Sequence, residues 1–202
     1  GERSAMRREE RCPDVALLLR HYGWEDGNSF KEIVRSVLTR GGLSGDSTLG
    51  DVKRLLRQDL VCVCTNLKTG EALCLSAATA PQVRVCDAVY ASSCVPFVFA
   101  PARVLGVLAI DGCLSCDLPR VFDEARTLFV TVDGDASEGD EVHSWADFLH
   151  GVVNCCSVAQ KHHHDRLAAE RPAQWLALQL PPALRGGPTF DVHLDARGGE
   201  AL

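Results

Sequence analysis

"ARVLGVLAIDGCLSCDLP", Ala102 to Pro119, is the stretch on which the reading of the fold turns. An apolar run with Gly106 in its middle ends abruptly in Asp111-Gly112. Its composition predicts a strand pair, or one strand bent at the glycine. An Asp at the C-terminal end of a strand, followed by a Gly that lets the chain turn, is where open α/β sheets carry functional groups. Asp-Gly is also a common turn in its own right. Immediately downstream, Cys113 and Cys116 form a C-x-x-C, the spacing of a zinc or thiol-redox pair. Two chemistries are therefore on offer side by side.

Upstream, helical periodicity and strand composition alternate. "PDVALLLRHYG" (13–23) reads as a short helix with Gly23 as its stop. In "NSFKEIVRSVLTRGG" (28–42), Phe30, Ile33, Val34, Val37 and Leu38 recur at helical spacing, with Asn28 or Ser29 as the cap and Gly41-Gly42 as the end. "STLGDVKRLLRQ" (47–58) predicts a third helix, capped by Ser47 or Thr48, with Asp51 in its first turn. "LVCVCTNL" (60–67) and "ALCLSAA" (72–78) read as a hairpin around the turn "KTGE". "QVRVCDAVYASSCV" (82–95) is helical and stops before Pro96.

Downstream, "LPRVFDEAR" (118–126) opens a helix at Pro119, and "TLFVTVDGD" (127–135) is a buried strand. A long helix is expected from about Ser144 to Glu170, ended by Pro172, and "WLALQL" (175–180) and "TFDVHL" (189–194) are short strands. Alternating elements with strands apolar throughout predict an α/β fold whose sheet is covered on both faces. No internal repeat or linker divides the chain, so residues 1–202 are read as one domain.

The bulk numbers exclude several classes. A net charge of −6 supplies no basic surface, so nucleic acid is not an expected partner. No apolar run approaches the ~18 residues of a membrane span, and the charged opening "GERSAMRREE" is not a signal peptide. Ten cysteines lie mostly inside apolar runs, as Cys62, Cys64, Cys74 and Cys86 do. They read as buried free thiols in a reducing, cytoplasmic compartment rather than a disulfide framework.

Ligand counting weakens the C-x-x-C. Structural zinc needs four ligands, and the sequence has no second C-x-x-C to complete a set. A redox pair belongs at a helix N-terminus, whereas Pro119 places the helix start after Cys116. In "KHHHD" (161–165), adjacent His residues splay around a helix, which leaves only His162 and Asp165 able to converge. A serine elbow, G-x-S-x-G, is absent, because Ser44 and Ser47 in "GGLSGDSTLG" (41–50) each lack one of the glycines. No P-loop or dinucleotide glycine fingerprint occurs either.

The order of segments from Leu43 to Asp135 resembles the patatin-like phospholipase family of lipid acyl hydrolases. "STLGDVKRLL" is similar to the family's Thr-Leu-x-Glu/Asp-Leu helix start, and "LVCVCTNLKTGEAL" to its apolar strand, Thr-x-Leu-x-Thr-Gly turn and return strand. "VRVCDAVYASSCVPFVFAP" looks like its Ala-Ser-x-x-x-Pro-x-x-Phe-x-Pro helix and exit, and "VLGVLAIDGCL" like the strand that ends in its Asp-Gly box.

The resemblance implies a three-layer α/β/α sheet and a Ser–Asp dyad that hydrolyses lipid esters without a cofactor. It places Asp111 as the general base and Gly112 as the active-site turn. It also implies a lipid or phospholipid substrate and peripheral contact with membranes or lipid droplets. The sequence departs from the family at three places. Cys113 stands where the box has Gly or Ala, "SCDLP" replaces Asn-x-Pro, and the serine elbow and oxyanion loop are not in these residues. The expectation is therefore an N-terminally incomplete domain, best matched over 43–135, with 136–202 a C-terminal helix and short strands. A non-catalytic lipid- or protein-binding member of the fold, and a zinc or redox site at Cys113 and Cys116, are the alternatives.

Overall fold

The computed structural model describes residues 15–116, 127–133, 148, 151–152, 155 and 168–179. The expected helix at 118–126, the "KHHHD" segment, the strand at 189–194 and most of the 144–170 helix lie outside these residues. Helical backbone at Phe148, Gly151, Val152, Cys155 and Ala168–Glu170 falls within that last span.

The molecule mixes helices and strands in the manner of an α/β protein. In chain order the elements are α1 (Val15–His21), β1 (Gly23–Glu25), α2 (Asn28–Arg40), α3 (Leu49–Leu56), β2 (Cys62–Asn66), β3 (Ala72–Leu75), α4 (Val85–Ser93), β4 (Phe97–Phe99), β5 (Ala102–Val104), β6 (Val107–Asp111), β7 (Phe129–Asp133) and β8 (Trp175–Gln179). The main sheet has the order β3-β2-β6-β5, and every neighbouring pair in it is antiparallel. The expected 60–78 hairpin is β2–β3. The 102–111 run resolves into a strand pair, because Leu105 (φ 49°) and Gly106 (φ 80°) make a two-residue turn of the kind that suits hairpin twist. β7 and β8 form a separate parallel pair in register from Phe129↔Trp175 to Asp133↔Gln179.

Alternation explains how the main sheet is buried. Cys62, Cys64, Leu75, Ala102, Val104 and Ala109 belong to the core together with Val85, Ala88, Tyr90 and Ala91 of α4. Val63 and Thr65, which point the other way along β2, are buried as well. β2 is thus covered on both faces, as its largely apolar composition predicts. α4 packs on β2, β5 and β6 and also touches α2. That double contact is why its buried residues lie all round the helix, and why the small side chains Ala88 and Ala91 suit it.

α3 keeps its predicted start. Thr48 Oγ1 accepts the Asp51 N–H at 3.1 Å, and the Asp51 carboxylate accepts the Thr48 N–H at 3.1 Å, which completes a capping box. The bond from Arg54, then the two from Thr48, hold the Asp51 carboxyl down at about 2. A depressed folded-state value means that this stability is present above the ordinary carboxylate range and is lost as pH falls through about 2. Urea titrations between pH 5 and pH 2 should show acid destabilisation that is shallower in Asp51→Asn.

The cap of α2 differs from expectation. Neither Asn28 nor Ser29 caps the helix; Gly27 holds that position at φ 77°. The Asn28 N–H goes instead to Asp26 Oδ1 at 2.9 Å. The cause is the Tyr90 ring, because a Cβ on Gly27 would lie 2.0 Å from its Cε2. That ring is fixed by Phe30 and Phe99, with centroids 6.1 and 6.0 Å away, and by its hydroxyl, which donates to the Ala100 carbonyl. Gly27→Ala combines a left-handed backbone with overpacking against a fixed ring and should cost about 2–4 kcal/mol in urea unfolding.

The exit of α1 is a second correction. Tyr22, at φ 62°, reverses the chain, and Gly23 begins β1 rather than ending the helix. β1 then pairs in parallel with β4 through Gly23↔Phe97 and Glu25↔Phe99.

Candidate active site

Asp111 is the last residue of β6. It sits beside the central strand β2, opposite Cys64. Each of its polar parts has a defined partner. Its N–H donates to the Cys94 carbonyl at 3.1 Å, at the end of α4. Its carbonyl accepts the Thr65 hydroxyl at 2.7 Å. Its carboxylate Oδ1 accepts the Cys113 N–H at 2.9 Å and so caps the 3₁₀ turn Gly112–Leu114. The aspartate is half-buried. Strand, helix end and turn together fix where its carboxylate lies, and a carboxylate so placed can accept a proton from a hydroxyl brought within hydrogen-bond reach.

Gly112 is needed for close approach. A Cβ there would lie 2.2 Å from the Val63 carbonyl oxygen and 2.7 Å from its carbon. The turn is pressed against the backbone of β2, and only a residue without a side chain fits. Gly112 then accepts the N–H groups of Ser115 and Cys116 at 3.1 and 2.9 Å, which closes the turn.

Cys113 does not disturb this arrangement. The bond that it makes to Asp111 uses its backbone N–H. Its φ is not in the left-handed region, so the position does not demand a glycine. The C-x-x-C lies on and just after a single 3₁₀ turn, not at the start of a helix. Among the described residues, no group of three or more His, Cys, Asp or Glu is arranged to hold a metal ion.

Three buried cysteines of the surrounding core are unsuited to nucleophilic work. Cys94 is fully buried, and its thiol faces the Ala91 and Ala109 carbonyls at 3.3 and 3.4 Å. Burial first, and then the neighbouring Asp111 charge, push it up to about 11. Burial pushes Cys62 to about 11, and burial with the surrounding thiols pushes Cys64 to about 12. All three stay protonated at neutral pH, whereas the thiolate is the reactive form. Cys62, Cys64, Cys74, Cys86, Cys94 and Cys155 carry free thiols.

Ser47, one of the sequence's near-elbow serines, is buried in the loop before α3, where its carbonyl receives the Val85 N–H at 2.9 Å. Two hydroxyls that the sequence did not single out, Thr65 and Ser115, gather at the Asp111 turn with Oγ atoms 2.7 Å apart. Thr65 had one signal: it is the polar residue inside an otherwise apolar strand.

The chain matches no protein-family model and no curated protein. Among the described residues, no helix is long and apolar enough to cross a membrane.

Proposed function

We propose that this chain is the aspartate-bearing part of a patatin-like lipid acyl hydrolase, built on a three-layer α/β/α sheet, with Asp111 as general base. The observation that carries the reading is the Asp111–Gly112 turn. It is a carboxylate held by the Cys113 N–H at the end of a central strand, followed by a glycine packed closely on the backbone of β2. The order of the surrounding elements supports it too: capped helix, hairpin, buried helix, then the strand that ends in Asp111.

The chemistry is nucleophile-plus-base catalysis. A serine hydroxyl gives its proton to Asp111 as its oxygen attacks the ester carbonyl. The tetrahedral intermediate collapses, the C–O bond to the alcohol breaks, and the alcohol leaves with the proton from Asp111. Asp111 then takes a proton from water, whose oxygen attacks the acyl-serine. The carboxylic acid departs and the proton returns to the serine. The 202 residues contain no G-x-S-x-G, so the reading assigns the nucleophile and the oxyanion donors to a segment of the protein outside them.

The substrate class is a lipid or phospholipid ester, met at the surface of a membrane or lipid droplet from the cytoplasm. Hydrolysis of a short-chain p-nitrophenyl ester by the full-length protein tests the reaction type. Turnover at 1 s⁻¹ or above, within the ordinary enzyme range of roughly 1–10³ s⁻¹, is expected. A rate equal to the buffer blank rejects it.

A further inference from the structure

We infer that Thr65 is a positioning residue for Asp111, acting through a relay of hydroxyls that starts at Ser115. The inference rests on the hydrolase reading only for what the placed carboxylate is used for; the relay itself stands on geometry.

Thr65 is 4% exposed, one of two polar side chains fully buried in the described core. Burying a hydroxyl in an apolar strand is costly unless its bonds are made, so its bonds show what it is for. A carbonyl can only accept, so the 2.7 Å contact between Thr65 Oγ1 and the Asp111 carbonyl uses the threonine's one proton. The 2.7 Å contact between Thr65 and Ser115 must then run the other way, with the Ser115 hydroxyl donating to Thr65. The direction is fixed throughout: Ser115 to Thr65 to Asp111.

The relay spans the two ends of the active-site turn. Asp111 begins it, and Ser115, whose N–H bonds the Gly112 carbonyl at 3.1 Å, ends it. Thr65 therefore ties both ends of the turn to β2. With Asp111 N–H held by the Cys94 carbonyl, the Thr65 bond pins the other main-chain polar group of the same residue. What remains for the carboxylate is rotation about its own side chain, and the Cys113 N–H stops that. Removing the Thr65 hydroxyl would free the turn, weaken the Cys113–carboxylate bond and let the base drift. Misplacement of a catalytic group by about 1 Å costs on the order of 10²-fold in rate.

The test compares Thr65→Val, which keeps shape and loses the hydroxyl, with Thr65→Ser, which keeps the hydroxyl. Both are made in the full-length protein. Amide hydrogen exchange at Cys113 is read against Leu75, the fully buried partner of Cys62 in β3, as an internal reference for the fold. The expected result is protection at Cys113 lowered about tenfold or more in Thr65→Val, restored to within about threefold in Thr65→Ser, and unchanged at Leu75 in both. On an ester substrate, kcat should fall about 10–100-fold in Thr65→Val with KM unchanged. Should Thr65→Val not fold, Ser115→Ala breaks the relay from its outer end without touching β2 and should lower Cys113 protection in the same direction. Unchanged Cys113 protection in a folded Thr65→Val or in Ser115→Ala overturns the inference. A wild-type protein without esterase activity rejects the hydrolase reading instead, and leaves the exchange result to decide the relay.

Discussion

Asp111→Asn should reduce kcat/KM for ester hydrolysis by roughly 10³–10⁴-fold, the scale of losing the acidic member of a nucleophile–base unit. The substitution changes one atom in shape and removes the proton-accepting capacity. The amide oxygen of Asn can still take the Cys113 N–H that Oδ1 takes now, and the backbone bonds to Cys94 and Thr65 do not involve the side chain. Stability in urea should therefore stay within about 1 kcal/mol of the wild type, because the bonds to Cys113, Cys94 and Thr65 are kept. The loss should lie in kcat, with KM little changed, since a base acts in the transition state rather than in ground-state binding. Stopped assays with a p-nitrophenyl ester and a parallel urea titration check both parts. A large stability loss alongside the rate loss would mean that Asp111 is a structural cap.

Gly112→Ala should damage both fold and rate. Its Cβ would lie 2.2 Å from the Val63 oxygen, and the obstructing atoms are backbone of the central strand. No side chain can swing aside. Either β2 or the turn must move, at a cost of about 2–3 kcal/mol by the usual scale of overpacking. If the turn moves, Asp111 moves with it, and kcat should fall on the order of 10²-fold even in the fraction that folds. Urea unfolding, and kcat normalised to folded protein, separate the two effects. Wild-type stability and rate in Gly112→Ala would show that the turn is not held against β2 as described.

The positions at which the sequence was informative share a physical cause. β2 and α4 are buried on more than one side, so their composition alone marks them. The capping box at Thr48 and Asp51 is a local pattern, complete within four residues. The strand end at Asp111 was visible because an apolar run stops there, whereas its role as a base comes from the resemblance. The residues that escaped notice depend on partners distant in sequence. β1 and β4 are three residues each and exist through pairing across more than seventy positions, Gly23↔Phe97. Gly27 takes the cap of α2 because of the Tyr90 ring, which nothing in residues 26–30 announces. Thr65 meets Ser115 across fifty positions and Asp111 across forty-six, and only the β2–β6 register brings them together. The C-x-x-C is a conspicuous local pattern that ligand counting discounts, and the turn beneath it uses the Cys113 backbone N–H.

In the proposed reaction, Asp111 activates a serine nucleophile. The most direct measurement is labelling of the full-length protein with a fluorophosphonate probe, with the adduct mapped by mass spectrometry. One labelled serine is expected, in a G-x-S-x-G sequence, and its labelling should disappear in Asp111→Asn. No adduct on the wild-type protein, or an adduct undiminished by Asp111→Asn, would contradict it.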